Sequence, residues 1–380
     1  MINRVLILSI QLGGGHLRAG QAIETAFAQL DRAPEVRLAD TMEYTNKVFR
    51  TLFLNTYTDM VRNAPEIYGW LYDRFDTPWK ARLHRNILEK LNTRPVLRLL
   101  EEYRPDLIIC THVLPAGILS WLGRKGRVEV PQAIVITDLD VHAMWLCDYY
   151  AHYFVGLEEM KVHLEVLGVP PGKVSATGIP IDPVFAQGMD KAEARRQLGL
   201  DPERTTILVT GGSWGLGPMD KLVRAFEGVR TPVQIVAVCG MNSEMKGTLD
   251  RIADKWPAGS AARVKVIGWT DRMHVFMSAA DLHAGKSGGL TTSEALAKGL
   301  PCLIVNPIRG QEERNADHLL EEGAAIRCNN LPLVPYKVDK LLNDPDRLAR
   351  MRDHARRLGR PQSALDIVHK VAQLSERAQD

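Results

Sequence analysis

Short β-rich apolar runs alternate with stretches of helical periodicity along this chain, and the pattern begins twice. In the first half the runs are RVLILSI (4–10), EVRLAD (35–40), DLIICT (106–111), QAIVITD (132–138) and HYFVG (152–156). In the second they are TTILVTGG (205–212), VQIVAVCG (233–240), RVKVIG (263–268) and PCLIVN (301–306). Strands alternating with helices build parallel sheets from βαβ units, and each half restarts with a strand, a glycine turn and a helix. Two doubly wound α/β domains in tandem follow. At 380 residues the chain also exceeds what one core usually fills. The join belongs within 178–200, where prolines and glycines precede an Ala/Arg-rich helix, with a hinge near 183–190. The expected division is 1–185, 186–365, and a C-terminal helix 366–380 that can pack back on the first domain.

Composition excludes several classes. A formal net charge of +3 is too mild to suggest nucleic acid without a local basic cluster. The five cysteines (Cys110, Cys147, Cys239, Cys302, Cys328) are odd in number, widely spaced and partly in apolar runs, which reads as reduced core thiols of a cytoplasmic protein. RVLILSI runs straight into glycines and does not read as a secretion signal, and no stretch approaches the roughly 18 to 20 apolar residues of a spanning helix. The chain is expected to cross no membrane, though it can lie on one.

One segment breaks the alternation. Residues 41–79 hold nine of the 24 Phe, Trp and Tyr residues in about a tenth of the chain. Tyr44, Val48, Phe49, Leu52, Phe53, Tyr57, Met60 and Val61 recur at helical spacing, Pro65 breaks the pattern, and Tyr68, Trp70, Leu71, Tyr72 and Phe75 follow. Lys80, Arg82, Arg85, Lys90, Arg94 and Arg98 come next. Such a stretch is either an extra pair of core helices or an interfacial surface for anionic lipid headgroups.

The strongest chemical motif lies in 286–294, KSGGLTTSE, a glycine-rich loop that opens a helix. Backbone amides at such a helix start stabilise a phosphate or diphosphate. Lys286 adds a charge there, Ser287 and Thr291 add hydroxyls, and Glu294, one turn in, can accept from two ribose hydroxyls. The bland alternative is a tight turn capped by Thr291 or Thr292 with Glu294 as capping-box acid. VTGGSWGLG (209–217) is a second glycine turn after a strand, and Gln311, Glu312 and Asn315 supply carboxylate and amide groups suited to sugar hydroxyls. The chain has neither a GxxxxGK[ST] loop nor a good GxGxxG. A nucleotide site without either points toward sugar nucleotides.

Taken in order, GGGH (13–16), APEIYGWLYD (64–73), VITDLDVHAMW (135–145), LGVPPGKVSATGIPID (167–182), TGGSWGLG (210–217), KSGGLTTSEALAKGLP (286–301) and PIRGQEERNA (307–316) resemble glycosyltransferase family 28 over nearly the whole chain. Within it they resemble the monogalactosyldiacylglycerol synthases and bacterial processive diacylglycerol glucosyltransferases. The resemblance implies the GT-B architecture: two Rossmann-like domains facing across a cleft, the C-terminal one for a UDP-sugar and the N-terminal one for the acceptor. It assigns donor contacts to Gly212, Ser213 and Trp214, and to the loop Lys286, Ser287, Gly288, Gly289, Leu290 and Thr291. It gives the ribose to Glu294, the sugar to Gln311 and Glu312, and the uracil to the segment around Thr270 and Met273. It also implies inverting transfer of a hexose to a membrane lipid, diacylglycerol above all, by a protein peripheral on the inner face of the cell membrane. UDP-sugar is then a substrate, no cofactor is expected, and an anionic membrane surface is the expected partner.

Gly13, Gly14 and Gly15 suit a loop that the acceptor must approach closely, and His16 can act as general base near neutral pH. The family makes this turn part of the acceptor site. Asp138 competes, either as the base itself or as the group that orients His16, and His112 is a further possibility. His142, Trp145 and Trp70 are expected at the acceptor. Asp138-Leu139-Asp140 matches the DxD pattern that holds a divalent metal in a different glycosyltransferase architecture. Metal dependence is not expected here, since Lys286 and a helix dipole already neutralise a departing diphosphate. Two rival readings are an N-acetylglucosaminyltransferase acting on the lipid-linked peptidoglycan precursor and a non-catalytic nucleotide-sugar-binding membrane protein.

Overall fold

The computed structural model describes residues 2–11, 13–77, 93–212 and 217–377. The chain divides into two compact units, one of Met1–Pro183 with Ile308–Arg314 and Gln362–Asp380, the other of Val184–Pro307 with Asn315–Pro361. Each is built on a six-stranded, wholly parallel sheet.

The first sheet contains β1 (Arg4–Ser9), β2 (Glu35–Asp40), β3 (Leu107–Cys110), β4 (Gln132–Val135), β5 (His152–Val155) and β6 (Val174–Ala176), in the order β2-β1-β3-β4-β5-β6. β3, β4 and β5 are buried at every residue, as strands covered by helices on both faces must be, while the edge strand β2 shows alternation. α1 (Gly15–Phe27) buries Ala19, Ala22, Ile23, Ala26 and Phe27, a spacing of three and four that puts one apolar stripe on the sheet. Gly20 lies so close to Leu38 and Ile7 that a Cβ there would sit 2.8 Å from Leu38 Cδ1, which lets α1 settle against the strands. The C-terminal helix Ser363–Arg377 packs beside α1 by the same logic, burying Ala364, Ile367, Val368 and Val371 in the core of Val5, Ile7, Ile109 and Phe154. Burying each large aliphatic chain is worth about 1.5–3 kcal/mol, so this docking belongs to the first unit's stability. Ser363 Oγ also accepts a hydrogen bond from the Ile181 amide at 3.2 Å.

The second sheet contains β7 (Thr205–Thr210), β8 (Val233–Val238), β9 (Ala262–Ile267), β10 (Leu282–Gly285), β11 (Cys302–Val305) and β12 (Ala325–Cys328), ordered β12-β11-β10-β7-β8-β9. Both sheets are doubly wound, as the alternation predicts. β6, β10 and β12 were not foreseen: their short runs, VSA, LHAG and AIRC, are each interrupted by a polar residue. The assignment of Ile308–Arg314 to the first unit is likewise invisible in the pattern. The C-terminal element begins at Ser363, three residues before the expected 366.

The aromatic segment forms a 3-10 turn (Thr41–Tyr44), α2 (Lys47–Asn63) and α3 (Pro65–Phe75), with Pro65 at the start of α3, where its missing amide hydrogen costs nothing. Tyr44 thus precedes the helix, and together with Phe49 it packs on the first core. Trp79, Lys80, Arg82, Arg85 and Lys90 lie outside the described residues. All five cysteines are buried free thiols. No helix among the described residues is long and apolar enough to span a membrane.

Candidate active site

In an open parallel sheet the place for a ligand is beyond the carboxyl ends of the strands, where the strand order reverses. In the first sheet that point lies between β1 and β3, neighbours on which chain direction through the sheet turns. Gly13 and Gly14 follow β1 with φ of 68° and 84°, the left-handed region that favours glycine, and Gly14 is the N-cap of α1. This turn brings His16, the second residue of α1, beside the end of β3. His16 Nδ1 lies 3.1 Å from the Thr111 carbonyl and 2.7 Å from Thr137 Oγ1. Thr111 Oγ1 donates in return to the His16 carbonyl at 3.0 Å. A carbonyl only accepts, so the contact with Thr111 requires a proton on Nδ1 and leaves the Nε2 lone pair to receive another. Burial pulls His16 down from 6.5 to about 4, against the smaller opposing effect of the Thr111 carbonyl, so the ring is neutral at pH 7.

His112 stands edge-on to His16 with ring centroids 4.7 Å apart. Its Nδ1 accepts from the Leu114 amide at 3.0 Å, capping the helix Val113–Arg124, and burial with its neighbour His16 keeps it neutral too. Asp138 is buried, and Gln311 Nε2 donates to its Oδ1 at 2.7 Å. Gln311, expected on the sugar, is thus engaged with a carboxylate of its own unit, because 308–314 belongs there. Glu312, also expected on the sugar, accepts from the Ile308 amide at 2.7 Å and so closes the start of its own helix.

His142 and Trp145 do not form an open acceptor wall. His142 is 4% exposed and uses both ring nitrogens: Nε2 donates to the Tyr72 carbonyl at 2.8 Å, and Nδ1 accepts from the Met144 amide at 3.1 Å. Trp145 is buried in the first core. Trp70, by contrast, is 60% exposed on α3, with the Arg74 guanidinium 5.3 Å from its ring centre.

Three of the sequence motifs converge around Arg314. Its Nη1 donates to Asp76 Oδ2 at 2.5 Å and Asp140 Oδ2 at 2.8 Å, its Nη2 donates to Asp73 at 3.0 Å, and its guanidinium stands 5.1 Å from the Tyr72 ring centre. Burial alone would raise the Asp76 carboxyl, but the Ala143 amide and Arg314 outweigh it and hold it below its usual value. Asp140, the second carboxylate of the DxD pattern, is thereby paired with an arginine. Among the described residues no cluster of His, Cys, Asp and Glu is arranged to hold a metal ion. The pairing was not legible because Arg314 lies 174 residues from Asp140.

The second sheet reverses between β7 and β10. Here the two glycine-rich loops meet: a Cβ on Gly217, whose φ is 110°, would lie 3.8 Å from Lys286 Cδ. The helix Gly289–Ala297 begins after the N-cap Gly288, which has no side chain to accept from the first-turn amides. Thr291 and Thr292 sit inside the helix instead of at its cap, and the Thr292 amide makes the first intrahelical bond, to the Gly288 carbonyl at 2.9 Å. Ser287 and Glu294 are buried, and Leu290 is 8% exposed. Asn315, read from sequence as a sugar contact, is fully buried and donates to the Ser287 carbonyl at 3.0 Å, so it fixes the loop. Gly212 has a φ of 74°, whereas Ser213 and Trp214 lie outside the described residues. Thr270 follows β9 and accepts from the Arg272 amide at 3.0 Å, and Met273 opens the next helix.

Each unit therefore has its glycine-rich helix start at a switch point, and known proteins carry the same order of parts. Residues 16–181 match the family model of monogalactosyldiacylglycerol (MGDG) synthase, and residues 206–370 match that of the glycosyltransferase family 28 C-terminal domain. The chain belongs to the MGDG-synthase-like glycosyltransferases of family 28. This glycosyltransferase is 29% identical to a processive diacylglycerol beta-glucosyltransferase of Bacillus subtilis (strain 168), over 98% of its own chain and 96% of that protein. It is 28% identical to a probable chloroplastic monogalactosyldiacylglycerol synthase 3 of Oryza sativa subsp. japonica, over 98% of its chain and 74% of the rice protein. Among solved structures it shares the fold of MurG from Acinetobacter baumannii, with a TM-score of 0.62, 17% identity and coverage of 97% and 99% of the two chains. Anabaena HepE in complex with UDP-glucose also shares it, with a TM-score of 0.56, 14% identity and full coverage of both chains. The architecture is GT-B.

Proposed function

We propose that this glycosyltransferase moves a hexose from a UDP-sugar to the hydroxyl of diacylglycerol, with inversion at the anomeric carbon, forming a β-glycosyl glycolipid. The observation that carries the reading is the neutral His16 with Nδ1 held by Thr111 and Thr137, in a chain whose relatives are diacylglycerol glucosyltransferases and MGDG synthases. That kinship favours a diacylglycerol acceptor over the peptidoglycan precursor and an enzyme over a binding protein.

His16 Nε2 takes the proton of the acceptor hydroxyl while the oxygen attacks the anomeric carbon from the face opposite UDP. The bond to the β-phosphate oxygen breaks, and the amides opening Gly289–Ala297 together with Lys286 stabilise the charge that collects there. No metal or cofactor is required by this scheme. Asp138, whose Oδ1 receives the Gln311 amide, serves better as a fixed carboxylate than as the proton acceptor.

The acceptor stays in a bilayer, so the first unit must reach its surface. Trp70 and Ile67, 60% and 56% exposed on α3 with Arg74 beside Trp70, are the apolar and basic elements suited to an anionic headgroup layer. On this reading the enzyme works as a peripheral protein on the inner face of the cell membrane. UDP release measured with UDP-glucose, UDP-galactose and UDP-N-acetylglucosamine, each with and without dispersed diacylglycerol, tests the reading. Release that depends on diacylglycerol supports it, and equal release without lipid contradicts it.

A further inference from the structure

We infer that Thr137 is a positioning residue that holds the His16 ring, in the tautomer the Thr111 carbonyl requires, and stabilises the charge the ring takes on. The inference rests on the reading of His16 as the base. Two oxygens reach Nδ1, and the shorter contact is with the Thr137 hydroxyl, at 2.7 Å against 3.1 Å for the Thr111 carbonyl. Thr137 follows β4 by two residues and is 4% exposed, so its hydroxyl is held by the sheet and shielded from competing water. With the proton on Nδ1, both oxygens accept from it, and Nε2 is left as the acceptor. As His16 takes a proton at Nε2, positive charge spreads to Nδ1–H, and a buried hydroxyl oxygen at this distance stabilises that charge. The Thr111 carbonyl cannot donate, so it fixes the tautomer, and the Thr137 hydroxyl, which could donate or accept, is obliged to accept. His112 does not compete, since its Nδ1 is taken by the Leu114 amide.

The test uses the full-length enzyme with His16→Ala, Thr137→Val and Thr137→Ser. Thr137→Val keeps the shape and removes the hydroxyl; it is expected to lower kcat about tenfold with KM for the UDP-sugar unchanged, and Thr137→Ser should restore most of it. Nitrogen-15 spectra of the histidine side chains should show His16 with Nδ1 protonated and Nε2 bare in wild type and in Thr137→Val alike, and the ring of Thr137→Val should take up its second proton at lower pH than that of wild type. Unchanged kcat in Thr137→Val while His16→Ala is inactive would overturn the role of Thr137 alone, as would a wild-type ring protonated on Nε2. Full activity of His16→Ala would instead overturn the underlying reading of the base. Should Thr137→Val fail to fold, Thr137→Ala, which also lacks the hydroxyl, takes its place with the same loss of kcat expected and the same unchanged kcat overturning the role.

Discussion

On the proposed reading, replacing His16 by alanine removes the proton acceptor and leaves the residues assigned to the UDP-sugar intact. Transfer should fall by about a hundredfold or more, with UDP affinity by calorimetry unchanged. Because burial holds His16 near 4, its basic form persists well below 6.5, and kcat/KM should lose activity on the acid side only as pH falls toward about 4. An acid limb near 6.5 would show that the ring is solvated during the reaction. At Glu294, buried one turn into the helix Gly289–Ala297, alanine should weaken UDP by about 1.5–3 kcal/mol, the worth of a charged hydrogen bond, if the residue holds the ribose. Unchanged UDP affinity would remove Glu294 from the ribose. The placement of His16 at a glycine-rich strand-to-helix turn was legible in GGGH. Thr137 was not, since a threonine ending an apolar run reads as strand, and its partner is 121 residues away. The setting of His142 and Trp145 was hidden for the converse reason: a short 3-10 turn directs one onto backbone and the other into the core.

Among the elements, the second switch point depends on a glycine whose role is steric. A Cβ on Gly285, the last residue of β10, would lie 2.6 Å from the Thr210 carbonyl oxygen of β7, a backbone atom that cannot turn aside. Gly285→Ala should therefore push β7 and β10 apart, cost about 1–3 kcal/mol of stability and reduce UDP binding together with it. Thermal melts with and without UDP check this, and a mutant with wild-type melting and the usual shift on adding UDP would contradict it. The longer strands were readable because a parallel strand buried on both faces must be a continuous apolar run. β10 was not, since LHAG is broken by His283, whose Nε2 meets Thr210 Oγ1 at 2.9 Å. The segment 308–314 escaped for another reason. Its attachments, Gly310 under Tyr72 and Arg314 among three aspartates, involve partners from α3 and the Asp140 loop that no local pattern connects to it.

For the whole molecule, two parallel sheets and a sparing net charge of +3 leave membrane attachment to local features. Vesicles with anionic lipid should bind the protein better than neutral ones, with salt weakening the attachment, since each basic side chain near such a surface adds about 1 kcal/mol. Tyr72 is engaged by Arg314, so the exposed pair Ile67 and Trp70 is the informative one. Replacing both by serine should reduce sedimentation with anionic vesicles while sparing UDP affinity, and equal sedimentation would return α3 to an ordinary surface helix. The central claim, inverting transfer from a UDP-sugar to diacylglycerol, is tested most directly by proton NMR of the lipid product formed from diacylglycerol and the active UDP-hexose. A hexosyl diacylglycerol with a β anomeric linkage is the predicted result; an α linkage, or a sugar recovered only as free hexose, would contradict it.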